Sequence, residues 1–486
     1  MDRIEEILTQ VNLRGCTATL NSSAKQSMKS TLSVSEDSLV VTASGSSLLF
    51  PFTDMIYIKK IGENSLEIAS LGFGTFGAAD GCFGCCNLRR RRNRDRRLSR
   101  LVLAIGQPVD PTSLIQCLSE ISFGKKRTIG KTKALVVVNP IAGRGLAQSL
   151  WQHTVEPLMK QSDQFDYEVI TTDGPGHALE IGSRDLTRLL ENSLPDGKID
   201  SSFERRDEKL FLIVLGGDGI VYELINGIHK ARPDTYKALL ANLVLCPLPA
   251  GSGNGLCYSA LCLARESFHI NSALRLLFRE EFAQKDLGIV HYQNSDGDDE
   301  SKLFALTISW GLVADVDLQS EFLRRYVGES RFAVYGLLKV LKKQSYEGTI
   351  AFDDYHEIEP DYLTVVASLV PAAGRTVILS PTKPMADGTI RVHRIRSRDV
   401  SRYGLIQAMG ELEKRRDHSK RIKGFEPLIT DKFELIPGLV HSLETTSKRG
   451  GSSGIVLDGE PLTFGPIRVE VLPSACNVFS SSQILP

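Results

Sequence analysis

The spacing of hydrophobic residues changes twice along the chain. Through residues 34–68 and 101–105, short β-type runs such as Leu39-Val40-Val41, Leu48-Leu49-Phe50 and Ile56-Tyr57-Ile58 alternate with turn residues. Such runs predict a β-rich amino-terminal module. Asp110-Pro111 then reads as a helix start, an N-cap followed by proline in the first turn. Between residues 134 and 285 the pattern differs: short runs at 134–138, 167–170, 211–215 and 243–245 end in glycine-bearing loops, and a helical spacing follows. Apolar runs of this length, stopped by glycine before a helix, read as buried parallel strands. Beyond residue 303 the β-type runs return at 303–309, 349–352, 362–370, 375–379, 389–395 and 467–471, with one helix-like stretch at 332–343. Their alternation predicts an antiparallel sandwich.

The middle section carries the chemistry. Phe211 to Leu215 run straight into Gly216-Gly217-Asp218-Gly219, after which Val221, Leu224, Ile225 and Ile228 share one helical face. Related loops are Asn139-Pro140-Ile141-Ala142-Gly143-Arg144-Gly145, Thr172-Asp173-Gly174-Pro175-Gly176 and Ala250-Gly251-Ser252-Gly253-Asn254. Glycines let backbone approach a phosphate closely, and the amides that open a helix favour negative charge. Four such loops, each between a β-run and a helix, predict a doubly wound, mostly parallel sheet whose loops converge on one phosphate site. Neither GxxxxGK[ST] nor GxGxxG fits them. Asp218 is the odd member, because a carboxylate among phosphate-seeking amides repels a nucleotide unless it takes a proton from an attacking hydroxyl or holds a metal ion. The alternative is a turn aspartate bonded to its own backbone.

In order and spacing, NPIAGRG, TTDGPGHA, GGDGIVYELING and PAGSGN resemble the catalytic region of the diacylglycerol-kinase and sphingosine-kinase superfamily. The likeness continues in SWGLVADVD, residues 309–317, which is similar to sphingosine kinases in particular, and ends at Leu457-Asp458-Gly459-Glu460. The resemblance implies a lipid kinase that uses ATP and Mg²⁺, with an α/β nucleotide-binding domain and a β-rich lipid-binding domain. It places Asn139, Pro140, Ile141, Gly143, Arg144, Thr172, Gly174, Gly176, Gly216, Gly217, Gly219, Glu223, Gly251, Ser252, Gly253 and Asn254 around ATP. It makes Asp218 the catalytic base, brings Arg324 and Arg331 to the nucleotide, and returns the Asp458-Gly459-Glu460 turn to the same place. The metal ligands are left open. The first loop departs from the family pattern, having Ala142-Gly143-Arg144 where two adjacent glycines and a lysine are common; the charge is kept and the loop geometry altered.

Asp317 and Glu321 are four apart and share a face if helical. Two acids at the mouth of an apolar cleft suit a protonated amine, whereas diacylglycerol and ceramide offer no cation and would leave a buried charge unpaired. Arg324 and Arg325 lie within helical reach, so a salt-bridged surface helix is the competing explanation. The expected reaction is transfer of the ATP γ-phosphate to the primary hydroxyl of a sphingoid long-chain base, giving its 1-phosphate. Rival readings are a ceramide or diacylglycerol kinase, or a nucleotide-binding lipid sensor without catalysis.

Length and composition frame this. A chain of 486 residues exceeds one ordinary core. The motifs suggest a module at 1–128, a nucleotide-binding domain at 130–285, a lipid-binding domain at 286–475 and a tail at 476–486. Runs of strands closed by one helix resemble the layout of a pleckstrin-homology domain. Lys plus Arg equals Asp plus Glu at 58 each, so no global charge points to nucleic acid. The start lacks the basic and apolar regions of a signal peptide, and nine cysteines without an even framework suggest reduced thiols, so the expected location is cytoplasmic. Within the 82–100 loop, Cys82, Cys85 and Cys86 adjoin a polybasic run at 89–97, which suits S-palmitoylation beside anionic lipid and peripheral membrane attachment; a solvated loop with incidental thiols is the alternative. Polar stretches at 193–209, 293–302 and 444–454 are expected to be flexible insertions.

Overall fold

The computed structural model describes residues 17–20, 26–34, 38–43, 46–51, 55–62, 65–72, 97–104, 131–193, 209–251, 253–320, 345–352, 355–375, 377–401, 403–404, 427–438, 454–462 and 465–480. Cys82, Cys85 and Cys86, the helix start at Asp110, the 332–343 stretch, nearly all of the stretches 193–209 and 444–454, and Ser252, Glu321, Arg324 and Arg331 lie outside them.

The amino-terminal runs form seven strands: β1 (Thr17–Leu20), β2 (Gln26–Val34), β3 (Ser38–Ala43), β4 (Ser46–Pro51), β5 (Met55–Gly62), β6 (Ser65–Gly72) and β7 (Arg97–Ala104). They pair antiparallel in the order β4-β3-β2-β1-β7-β6-β5. The first two are polar enough to have escaped the hydrophobic pattern. Tyr57, only 1% exposed, joins the core of the following domain, so β5 is docked onto that domain.

β8 (Thr132–Val138), β9 (Phe165–Thr171), β10 (Leu210–Gly216) and β11 (Leu243–Pro249) are parallel, in the order β9-β8-β10-β11. Every residue of β10 is buried, as a strand covered on both faces requires. The register sets Val138 beside both Thr171 and Leu215, and Leu215 beside Leu248, so all four carboxyl ends lie on one edge. The order reverses between β8 and β10. Right-handed crossovers on either side of such a switch point leave a crevice where ligands bind.

The remaining strands are antiparallel: β12 (Phe282–Gln293), β13 (Asp299–Phe304), β14 (Thr307–Gly311), β15 (Tyr346–Phe352), β16 (Tyr355–Ser368), β17 (Ile390–Arg396), β18 (Leu428–Thr430), β19 (Lys432–Pro437), β20 (Ile455–Leu457), β21 (Glu460–Leu462) and β22 (Ile467–Phe479). Their second core includes Trp310, Tyr346, Tyr362, Phe433 and Val469. β22 joins the two halves. Its body pairs antiparallel with β12 and β19, while Asn477 and Val478 pair parallel with Val244 and Leu245 of β11. The strands of both halves therefore form one continuous mixed sheet.

Three expectations need correction. The 303–309 run is broken between β13 and β14, because the amides of Ala305, Leu306 and Thr307 turn to grip a carboxylate instead of a neighbouring strand. The 375–379 run provides only an isolated bridge between Ala372 and Ile378. The 293–302 stretch is the tip of the β12–β13 hairpin, shaped by Asn294 Oδ1 accepting from the amides of Asp296 and Asp298 and by Gly297 at positive φ. No helix among the described residues is long and apolar enough to cross a membrane.

Candidate active site

The loops after β8, β10 and β11 touch one another through backbone. Asn139 donates its amide to the Leu215 carbonyl at 2.9 Å, and Thr172 donates its own to Val138 at 2.9 Å. Gly143 has φ +58, and any Cβ there would strike the Ala250 carbonyl, so the first loop leans on the fourth. Gly251 is tighter still. A Cβ on it would stand 2.6 Å from Gly217 Cα and 2.7 Å from the Gly216 carbonyl, a position only glycine fits. Asn139 Oδ1 accepts from the Ile141 amide at 3.3 Å, an Asx turn that opens the first loop. Asn254 clasps the last loop from its far end, its Oδ1 accepting from the Gly251 amide at 3.2 Å and its Nδ2 donating to the Gly251 carbonyl. Ile141 at the tip is 80% exposed, and Arg144 is exposed at φ +60, so the altered first loop puts a cation and an apolar side chain on the open side of the crevice.

Asp218 is the first residue of the helix Asp218–Ala231. Its carboxylate does not serve its own backbone turn; Oδ2 accepts from the Gly255 amide at 2.6 Å and Oδ1 from Leu256 at 3.2 Å, both at the start of the helix Gly255–Leu263. Burial raises its pKa from 3.8 to about 6, and the two amides oppose that rise without overcoming it. A carboxylate poised there is mostly ionised near neutrality and takes up a proton readily.

Three faces of this helix are engaged. Val221, Leu224, Ile225 and Ile228 enter the parallel-sheet core, as their spacing predicts. On a second face, Glu223 Oε2 accepts from the Leu179 amide at 3.2 Å, capping the helix His177–Ile181 that follows the Thr172 loop. Within that loop His177 Nδ1 accepts from the Asp173 amide at 2.9 Å, and Gly176 has φ +81. Glu223 thus braces the helix that follows the Thr172 loop. The third face, with Gly219, Tyr222 and Asn226, meets the antiparallel half, and Tyr222 belongs to the second core.

That half contributes a turn of its own. Asp458, between β20 and β21, sits at φ +48 and is buried, and Glu460 beyond it is exposed. Asp458 accepts from the amides of Ala305 at 2.6 Å, Leu306 at 2.9 Å and Thr307 at 2.8 Å. Burial raises this carboxyl to about 6 as well, helped by the charge of Asp218. Glu460 Oε1 stands 3.2 Å from where a Cβ on Gly219 would be, so the turn closes over the first residues of the Asp218 helix. On the inner side Lys285 is fully buried; desolvation lowers it to about 8, while Cys476, Asp286 and Asp458 favour its charge. Among the described residues no group of three or more His, Cys, Asp or Glu side chains is placed to hold a metal ion unaided.

Of the residues anticipated around a nucleotide, the structure brings together those of the loops after β8, β10 and β11, and Glu460 with Gly219. Thr172 joins them through Val138, while Gly174 and Gly176 lie in the loop after β9 with open space where a Cβ would be. Asp317 belongs to the antiparallel half. It is half-buried on the helix Leu312–Ser320, which leaves β14 at Gly311, the end away from Thr307 and Asp458. The buried acid of that helix is Asp315, whose Oδ2 accepts from Tyr346 Oη at 2.7 Å. Burial, and then Asp315, push the Tyr346 phenol upward. Asn226 and the amides of Ala305, Leu306 and Thr307 were not anticipated. A polar residue four positions after Tyr222, in a helix otherwise apolar on its inner faces, is the one signal the sequence offered.

Residues 133–290 match the family model of the diacylglycerol kinase catalytic domain. The chain is 33% identical to sphingosine kinase 1 of Homo sapiens over 227 residues, which cover 45% of this chain and 51% of that protein. It is 30% identical to sphingosine kinase 1 of Caenorhabditis elegans over 225 residues, covering 46% and 42%. It spans about half the length of the curated relatives it matches. Among solved structures, a diacylglycerol kinase from Bacillus anthracis aligns with 74% of this chain and all of its own, at 16% identity and TM-score 0.48.

Proposed function

We propose that this chain, whose residues 133–290 match the diacylglycerol kinase catalytic domain model, transfers the ATP γ-phosphate to the primary hydroxyl of a sphingoid long-chain base. The observation that carries the reading is Asp218: a desolvated carboxylate raised to about 6, held at the head of a helix where glycine loops meet. The loop amides after β8, β10 and β11 cradle the phosphates, and Arg144 adds charge at the open side. Thr172 and Glu223 fix the second loop beside them. Asp218 accepts the hydroxyl proton as the oxygen attacks.

Mg²⁺ fits this donor set as a partner of the nucleotide and not as a resident ion, since it is commonly held by one or two carboxylates plus phosphate oxygens. Asp218 and Glu460 are the carboxylates at hand, and the ion supplies charge neutralisation at the transferred group. Asp458, already gripped by three amides, is a brace for Glu460.

The choice of lipid rests on Asp317 and on the sphingosine kinases among the relatives. A half-buried acid favours a protonated amine over the uncharged head of diacylglycerol or ceramide. The small apolar cluster of Leu312, Leu363, Val366, Leu379, Ile395 and Val400 packs beside the same helix. Thin-layer separation of radiolabelled products from sphingosine, phytosphingosine, ceramide and diacylglycerol tests this. The expected result is label in the two sphingoid bases, with Asp317→Asn raising their KM roughly tenfold for the loss of one charge pair. Label confined to diacylglycerol or ceramide, or sphingoid turnover indifferent to Asp317→Asn, contradicts the assignment.

A further inference from the structure

The catalytic helix meets the antiparallel half at three levels, the lowest a 3.4 Å contact between His229 Nε2 and Ser301 Oγ of β13. At its head Glu460 overhangs Gly219. Two helical turns below Asp218, Asn226 makes a second attachment: its Oδ1 accepts from the Leu303 amide at 2.8 Å, and its Nδ2 donates to the Leu303 carbonyl at 2.9 Å and to the Tyr222 carbonyl at 2.9 Å. All three bonds require the same orientation of the side-chain amide, so they agree on one geometry. Asn226 is 7% exposed and Leu303 fully buried. The side chain thus behaves as a short extra strand, pairing with both backbone groups of the residue near the end of β13. Two residues further on begin the Ala305, Leu306 and Thr307 amides that hold Asp458.

We propose that Asn226 is a positioning residue: by pairing with both backbone groups of Leu303, it holds the Asp218 helix in register with the strand end that grips Asp458, and so sets the separation of Asp218 from the Asp458–Glu460 turn. Three steps, one of them a pair of hydrogen bonds, connect the two acids through it. The helix fixes Asp218 relative to Asn226, the amide pair fixes Asn226 relative to Leu303, and the chain from Leu303 to Thr307 fixes the cradle of Asp458. The parallel-sheet core grips the other faces of the helix but does not touch this relation. Tyr222, four residues before Asn226 on the same face, fills space in the second core without directional bonding to β13.

The consequence is specific to the chemical step. The loops at 139–145 and 250–254 rest on other contacts, so loss of Asn226 leaves nucleotide capture in place while misaligning the base and the turn. The inference rests on Asp218 acting as the base. It is tested with the full chain by comparing Asn226→Ala with Asn242→Ala. Asn242 is also buried and also bonds backbone, donating to Ala238, but it precedes β11 at the opposite edge of the sheet. Rates are taken per mole of folded protein below both melting transitions, with sphingosine as acceptor and a fluorescent ATP analogue for affinity.

Asn226→Ala is expected to lower kcat at least thirtyfold, with KM for ATP and analogue affinity within threefold of wild type, while Asn242→Ala keeps kcat within twofold despite its lower Tm. Should Asn226→Ala not fold, Asn226→Asp retains the acceptor for the Leu303 amide and loses both donations, and an intermediate fall in kcat is expected. A kcat within twofold of wild type for the folded Asn226 variant, or equal losses in both asparagine variants, overturns the proposal. Wild-type turnover of sphingosine reports separately on the proposed reaction, since the ratio between variants can be read with any lipid the wild type accepts.

Discussion

Asp218 and Asp458 come from the two halves of the molecule, one at the head of a helix from the parallel sheet, the other in a turn of the antiparallel strands. Both are gripped by backbone amides at 2.6–3.2 Å, and both are raised from 3.8 to about 6 because burial outweighs those amides. They differ in what surrounds them. Asp218 keeps part of its surface where the loops after β8, β10 and β11 meet, and has two amide donors. Asp458 is 9% exposed and has three donors from consecutive residues. A carboxylate with lone pairs to spare beside an open crevice can exchange a proton. One whose lone pairs are spent on a buried cradle holds the backbone in shape. Equal pKa displacement therefore accompanies unequal roles, and exposure and hydrogen-bond count separate them.

The sharpest way to break the comparison is to remove the brace. Asp458→Ala leaves three buried amides without a partner, each worth about 1–3 kcal/mol, offset by release of a desolvated charge. A net loss of about 3 kcal/mol is expected in denaturant unfolding, with activity falling alongside it. Asp218→Ala frees two amides, those of Gly255 and Leu256, one fewer than Asp458→Ala, and should lose less. Equal stability losses in the two variants would show that the roles have been divided wrongly.

A smaller effect separates activity from stability by pH. Both folded-state carboxyls titrate above their unfolded value, so the folded state binds more protons between about pH 4 and 6. Their contribution to stability is therefore present below about pH 4 and is lost as pH rises through 6. Activity runs the other way, since a protonated Asp218 accepts nothing. The acid limb of kcat/KM should fall below about pH 6 with the macroscopic behaviour of a coupled pair, while these two groups favour the fold over the same window. An acid limb near pH 4 in wild type would mean that the base is a solvated carboxylate instead.

Legibility in the sequence followed the range of the interactions. The parallel strands and their loops were readable because strand, glycine loop and helix are contiguous, and the close approaches of Gly143 and Gly251 need the very residue type that marks a loop. Asp218 stood out for the same reason, although the amides that hold it belong to Gly255 and Leu256, beyond the reach of any local pattern. In the antiparallel half, strands emerged from alternation, but the break at Ala305 and Leu306 did not. It exists to serve Asp458, more than 150 residues away. Likewise the ADVD segment offered two acids, and only folding reveals that Asp315 is the buried one, held by Tyr346. Asn226 shows the same limit: its partner is 77 residues distant.

The most direct measurement is transfer of radiolabelled phosphate from ATP to sphingosine by Asp218→Asn at pH 7.5, set beside its affinity for ATP. Removing a positioned base costs about 10²–10⁴ in rate. The account predicts a fall in kcat of that order with ATP affinity within threefold of wild type. Turnover at the wild-type rate in Asp218→Asn would contradict it.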